Sequence, residues 1–385
     1  MNKELRKGLR TWIEIDKGAI KHNFGVFWGL IAKNVKMLGV VKSNAYGHNL
    51  LEFAKELERL GVDFLGVDSV VEGIALRKEG IKIPILILGY TLPEMIEVAR
   101  SNNLDITVSS FDYFTIVKKL NLNKPVRIHI KVDTGMHRHG FQEGDINKVL
   151  KQIELNKKKI ELVGLYTHFA MAKNPSFPTY TKMQIEKFNI WREAFVKAGL
   201  KPICHAGATA GTLLYKEAHF DMVRIGISLY GIWPSKEAQS FYEGKIKLQP
   251  VLTWKTIIAE VKKMPRGTKI GYDCSEILEK DSVVAILPVG YWHGLPRALS
   301  SIGHVLVGGI KCKILGRVCM DIIMIDVTGV KNTKVGLPAQ TGDEVIIIGR
   351  DDKQEILASD IATLLDASAY ELVTRINPLI KRIYK

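Results

Sequence analysis

The chain has 385 residues, 46% of them hydrophobic, enough to bury the cores of two or three compact units, with two the expected number. Its formal charge of +15 raises the question of a polyanionic partner. However, the basic residues are scattered through helix-like segments such as Lys118-Lys119 and Lys157-Lys158-Lys159, without RNA-binding or zinc-finger spacing, so a solvated basic surface and no nucleic-acid partner are expected. Cys204, Cys274, Cys312 and Cys319 form no CxxC pair, which argues against a metal site and a disulfide framework. Residues 1–16 lack the apolar core of a signal peptide and no later run is long enough to span a membrane, so a soluble, cytoplasmic protein is expected.

From residue 35 to residue 225, short apolar runs alternate with amphipathic stretches, the pattern of strand-helix units around a parallel sheet. Strands are expected at 35–41, 62–67, 83–88, 104–108, 126–132, 162–166, 202–205 and 222–225. Helices are clearest at 50–60, where Leu50, Phe53, Ala54, Leu57 and Leu60 share a face ahead of Gly61, and at 70–78, stopped by Gly80. About eight such units, with no GxGxxG after the first strand, indicate a TIM-like (β/α)8 barrel rather than a doubly wound sheet. After residue 242 the texture changes to closely spaced strands, at 251–261, 283–289, 304–307, 311–315, 322–327 and 344–348, with Gly308-Gly309 as a hairpin and a helix at 359–365 capped by Ser359. The expected domains are a barrel over 1–248, leading N-terminal segment included, and a mainly β domain over 249–385.

The chemistry-bearing segments fall at the ends of these strands. Val40-Val41-Lys42-Ser43-Asn44-Ala45-Tyr46-Gly47-His48 sets a lysine at the C-terminal end of the first barrel strand, the mouth where barrel enzymes place their reacting groups. Burial there would disfavour the ammonium and favour the neutral amine that attacks an aldehyde. Ile128-His129-Ile130-Lys131-Val132-Asp133-Thr134-Gly135-Met136-His137-Arg138-His139-Gly140 begins as a strand and ends in a polar turn. His168 ends another strand. His205-Ala206-Gly207-Ala208-Thr209 leads into a short helix whose N–H groups suit phosphate oxygens.

These segments closely resemble those of alanine racemases, and the resemblance runs over nearly the whole chain. It implies a pyridoxal 5′-phosphate cofactor held as a Schiff base by Lys42, which also serves as the base on the D-alanine face. Tyr46 then contacts the cofactor phosphate. The second stretch matches KxDTGMxRxG, which makes Arg138 the donor to the cofactor phenolic oxygen and to the substrate carboxylate, and Lys131 the position carbamylated in some members. His168 stacks beside the ring. Thr209 replaces the family's phosphate-binding serine, and Ala208 stands where many relatives have asparagine. Met222-Val223-Arg224-Ile225-Gly226-Ile227 resembles the strand whose arginine faces the pyridine nitrogen and weakens the electron sink, which favours reprotonation over transamination. Gly226 and Ile227 resemble backbone phosphate ligands, and His205 matches a histidine that supports the arginine.

Racemisation needs a proton donor and acceptor on each face of the substrate. Ile270-Gly271-Tyr272-Asp273 resembles the segment carrying the opposite-face tyrosine, the base for L-alanine, which in the family comes from the other subunit, so a homodimer is implied. Tyr291, in a GYxDG-like segment with His293 for aspartate, lines the substrate entrance. The Met320 N–H resembles a donor to the substrate carboxylate, and Tyr370 a phosphate-site tyrosine that crowds the alanine methyl. The implied activity is two-base interconversion of L- and D-alanine, supplying D-alanine for peptidoglycan. A non-enzymatic pyridoxal phosphate carrier would leave the β domain unexplained, and a barrel-type decarboxylase would want an acid in place of Arg224. A serine or broad-specificity racemase differs only around Tyr370.

Overall fold

The computed structural model describes residues 6–332, 337–351 and 354–385. The first five residues of the leading segment lie outside these. Two compact units emerge, one comprising Ile20–Ala45 and Leu50–Gln249, the other the chain up to Ala19, Tyr46–Asn49 and Pro250–Lys385.

The first unit is the expected barrel. Thr11–Ile15 is β1 of the chain, and the barrel strands follow as β2 (Lys36–Val40), β3 (Phe64–Val67), β4 (Ile85–Ile87), β5 (Asp105–Val108), β6 (Val126–Lys131), β7 (Ile160–Tyr166), β8 (Ile203–His205) and β9 (Met222–Ile225). Eight parallel strands lie in the order β9-β2-β3-β4-β5-β6-β7-β8. Between β8 and β9 the ring is bridged by Asp221 N–H to Cys204 O and Arg224 N–H to Gly207 O. The strands are apolar along most of their length because barrel side chains pack inward while helices such as Leu50–Leu60 and Thr179–Lys197 cover the outside. Leu50, Phe53, Ala54 and Leu57 form the buried face that their spacing predicts.

The second unit is mainly β. Its long sheet runs Glu260–Met264, Ser282–Leu287, Ile323–Asp326, Ile310–Leu315, His304–Val307, Glu344–Asp351, Leu252–Ile257, β1 and Arg382–Tyr384. The leading segment, expected with the barrel, therefore lies here: β1 pairs antiparallel with Leu252–Ile257 and parallel with Arg382–Tyr384, burying Trp12, Ile13 and Ile15. The run at 251–261 is two strands, broken after Ile257. Gly308-Gly309 does turn the hairpin between His304–Val307 and Ile310–Leu315. Ser359 is not a cap. The helix is Ala358–Leu364, and Asp360 accepts the Leu357 N–H at its start, at 2.8 Å. A second helix, Ala369–Thr374, capped by Ser368, carries Tyr370.

Candidate active site

The mouth of the barrel unit is organised first by backbone. Immediately after Lys42, the residues Ser43, Asn44, Ala45 and Tyr46 all have φ between 48° and 57°, a left-handed turn made without glycine. Such geometry costs about 1–2 kcal/mol per residue, so it persists only where neighbours hold it. Glu72 is one such neighbour: its Oε1 accepts the Ser43 N–H and its Oε2 the Asp68 N–H, both at 2.7 Å, while its own N–H is capped by Ser69. Asn44 Oδ1 takes the Leu50 N–H at 3.0 Å. Sequence reasoning missed Glu72, whose only signal was the Ser-x-x-Glu pattern of a helix start.

The Lys42 side chain is 38% exposed and pairs with Asp68 at 3.1 Å.

The loop after β6 is built by Asp133. One carboxylate oxygen accepts the N–H groups of Gly135, Met136 and His137 at 2.9–3.0 Å, and the loop is pinched at its base by Phe141 N–H to Lys131 O and Asp133 N–H to Phe141 O. Gly140 sits at that pinch with φ +137°, where an added Cβ would lie 2.5 Å from the Asp133 nitrogen. The motif glycine is thus a requirement of loop closure, and the loop presents Arg138 as an exposed cation. Gln184, also missed, ties this loop to the one after β7 by contacting Thr134, the His168 carbonyl and the Ala170 N–H.

Arg224 is buried at the centre of the unit. NH1 donates to His205 Nδ1 at 2.8 Å, and NH2 lies at 2.7 Å from Thr167 O, 2.8 Å from Ala206 O and 3.2 Å from His168 Nδ1. Burial pushes its pKa down to about 10, which still leaves a cation at neutral pH. His168 and His205 are both held well below the ordinary histidine value, first by burial and then by Arg224, so each ring is neutral. Lys131 is pushed down to about 8 by burial and by Arg138, Arg224 and Lys42.

This donor set fits an anionic, phosphorylated pyridine. Among the described residues no acceptor meets the Arg224 Nε–H. The helix Thr209–Leu214 starts without a side-chain cap, leaving its first N–H groups without intrahelical acceptors, and the turn beginning at Ile227 does the same. One detail differs from expectation. The Gly226 N–H donates to Thr209 Oγ1 at 3.0 Å, so the threonine hydroxyl, rather than the Gly226 amide, is the group left with a proton to offer.

The remaining expected residues lie on the second unit. Tyr46 and Tyr370 meet ring to ring, centroids 6.0 Å apart, and burial followed by Tyr46 raises the Tyr370 phenol well above its ordinary value. Tyr272 is 70% exposed in a turn tethered by the Asp273–Arg317 ion pair at 2.9 Å. Tyr291 and Met320 are brought together by Tyr291 N–H to Cys319 O and Trp292 N–H to Met320 O, and both are exposed. His293 takes the place of aspartate as an acceptor, its Nδ1 receiving the Gly290 N–H at 3.1 Å. Among the described residues no cluster of metal-ligating side chains occurs, and no helix is long and apolar enough to cross a membrane.

The buried histidines set an acid limit. His168, His205 and His293 all have folded-state values depressed below 6.5, with burial the first cause. The unfolded chain therefore takes up protons first as pH falls, and stability is lost below about pH 6.5 at up to ~1.4 kcal/mol per pH unit for each fully shifted ring. In Glu14 and Asp105 burial pushes upward but is outweighed by hydrogen-bonded partners, Lys385 and Trp12 in one, His129 and Arg127 in the other. Their stabilisation is lost only below about pH 4.5. Thermal unfolding followed against pH should show a plateau above pH 7, a decline from about 6.5 and a steeper one below about 4.5. A flat profile down to pH 5 would contradict the neutral-histidine assignment.

An eight-stranded parallel barrel with a lysine at the end of its first strand and a mouth rich in cations and N–H donors, carried on one chain with a mainly β unit, defines a two-part barrel enzyme. A family model described as the alanine racemase N-terminal domain matches residues 15–234, and one described as the C-terminal domain matches residues 251–384. The alanine racemase of Halothermothrix orenii is 39% identical over 100% of this chain and 99% of its own length, and that of Symbiobacterium thermophilum 37% over 98% of each. Among solved structures, alanine racemase from Clostridium difficile superposes with a TM-score of 0.89 at 33% identity, covering 98% of this chain and 96% of the other. The Bacillus anthracis alanine racemase with bound L-Ala-P superposes with a TM-score of 0.90 at 32% identity, covering 98% and 95%. The chain belongs to the alanine racemase family and is an isomerase.

Proposed function

We propose that the chain interconverts L- and D-alanine by a two-base reaction with pyridoxal 5′-phosphate, working in the cytoplasm as a homodimer that supplies D-alanine to peptidoglycan synthesis. The observation that carries this reading is Arg224, a buried cation flanked by neutral histidines, whose Nε–H meets no acceptor among the described residues. Bound to this site, the cofactor supplies the electron sink that makes the substrate α-proton removable.

The chain's own groups do the rest. Lys42 Nζ would hold the cofactor at its aldehyde carbon and moves the α-proton on the D face. Tyr272 Oη, from a second copy, moves it on the L face. Arg224 would face the pyridine nitrogen as a fixed donor and gives up no proton there, because a guanidinium holds its proton even at a pKa of about 10. With no proton given up at that position, return of the α-proton would be favoured over slower side reactions. His168 would lie beside the ring, and His205 supports Arg224. Thr209, Ile227, Gly226, Tyr46 and Tyr370 would hold the phosphate. Arg138 and the Met320 N–H hold the substrate carboxylate, with Tyr291 at the entrance. Among the described residues the Met320 N–H meets no acceptor, as a substrate-binding donor requires. Lys131, about one-tenth neutral at pH 7 for a pKa of about 8, stands among three cations where a carbamate would replace repulsion with attraction.

The test is to incubate the purified chain and cofactor with L-alanine and a panel of other L-amino acids and follow optical rotation. Loss of rotation with alanine, far ahead of serine, is the expected result. No turnover of any of them would refute the reading, and equal turnover of serine would refute the preference for alanine.

A further inference from the structure

Behind Arg224 lies a buried polar chain that the proposed reaction does not use directly. Asp105 on β5, His129 on β6, His205 on β8 and Arg224 on β9 are each at most 2% exposed. Asp105 Oδ2 is 3.3 Å from His129 Nε2, His129 Nδ1 is 3.0 Å from His205 Nε2, and His205 Nδ1 is 2.8 Å from Arg224 NH1. The other Asp105 oxygen accepts from Arg127 Nε at 2.7 Å, and Arg127 also reaches Glu161 at 2.7 Å.

The two ends of this chain determine everything between them. Asp105 is held ionised: burial opposes the charge, but His129 and Arg127 outweigh it, so the carboxylate only accepts. His129 Nε2 must then donate. At the other end His205 Nδ1 accepts from a guanidinium, which has donors only, so His205 carries its proton on Nε2 and donates it to His129 Nδ1, which must be bare. Both rings are thus the Nε2–H tautomer, and every hydrogen bond runs the same way, from Arg224 to Asp105. Without the carboxylate, His129 is free to carry its proton on Nδ1. His205 would be driven to carry its own on Nδ1 too, and it would meet Arg224 NH1 donor to donor.

The local sequence makes room for this arrangement. The β6–β7 register shifts between Ile128 and His129, and opposite the ring stands Gly164, where an added Cβ would lie 2.1 Å from His129 Nδ1. Gly164 is not among the residues with positive φ, so it is there for space. Tyr166 stacks on His205 with centroids 4.7 Å apart and planes within 5°.

We propose that Asp105 is a positioning residue for Arg224, fixing the direction of a one-way hydrogen-bond relay through His129 and His205. Its consequence for catalysis rests on the function proposed above, whereas the relay itself does not.

The test uses the full-length chain with ¹⁵N-labelled histidine, with and without cofactor, and compares wild type with Asp105→Leu and Asp105→Asn. The wild type should show His129 and His205 with the proton on Nε2 and Nδ1 bare. Asp105→Leu should give a second tautomer at both rings and lower kcat by about tenfold or more with KM within about twofold, because the geometry of Arg224 is altered rather than the substrate contacts. Asp105→Asn, whose amide oxygen still accepts, should restore the wild-type tautomers and kcat to within about threefold. Should the leucine variant fail to fold, Gly164→Ala displaces His129 while keeping the Asp105–Arg127 pair, and the same second tautomer is expected at His205. A wild-type ring with its proton on Nδ1, or a variant that removes the acceptor yet keeps single tautomers, would overturn the proposal. Tautomer shifts as expected in a chain that racemises nothing would overturn the proposed function and leave the relay standing.

Discussion

Replacing Lys42 by alanine should lower racemisation in both directions by at least ~10³-fold and remove the visible absorbance of the lysine-linked cofactor, without a comparable loss of folding stability. The structural side of this expectation follows from the setting of the side chain. It is 38% exposed, and among the described residues it pairs only with Asp68, itself 55% exposed. Pairs of that kind contribute about 0–1 kcal/mol. The left-handed turn that carries Lys42 is held by backbone N–H groups meeting Glu72 and by Asn44 Oδ1, and the substitution touches neither. The catalytic side follows from the proposed role, in which one amine both holds the aldehyde and moves a proton on the same face. Polarimetry, absorbance and thermal unfolding of one preparation check all three parts. Activity within tenfold of wild type would remove Lys42 from the mechanism, and a large drop in stability would make it a structural residue.

Tyr272→Phe should separate the two faces of the reaction. Because L- and D-alanine are mirror images with an equilibrium constant of unity, kcat/KM for racemisation must fall equally in both directions, by ~10²–10⁴-fold for loss of one proton-transfer group. The asymmetry appears instead in exchange with solvent. In deuterated water the variant should still exchange the α-hydrogen of D-alanine, through Lys42, without inverting it, while exchange of L-alanine falls with racemisation. Tyr272 is 70% exposed, so the phenyl replacement should fold and bind cofactor normally. Equal exchange of the two enantiomers would refute the assignment of Tyr272 to the L face.

Periodicity made the barrel legible because each strand is buried on both sides and each helix on one, which writes the alternation directly into the chain. The motif around Asp133 was legible for a similar reason: its turn is made by neighbours in sequence, one carboxylate gathering the next three amide groups. Segment boundaries in the β unit were harder. The run at 251–261 is continuous in hydropathy but splits at Ile257, because its two halves pair with different strands. Ser359 looked like a helix cap, yet Asp360 does the capping from inside the first turn.

The sequence by itself determined the barrel, the mainly β character of the second half and the candidate chemistry at the strand ends, since these depend on local pattern and on motifs that are short and contiguous. Only the tertiary structure decided that β1 belongs with Leu252–Ile257 and Arg382–Tyr384, that Glu72 clamps the turn beside Lys42, and that Asp105 and His129 stand behind Arg224. Each of these joins residues more than twenty positions apart on different strands or loops, and one side chain gives no signal of which distant donor it will meet. Hydrogen bonding is directional and set by register, so it can be read only once the strands are in place.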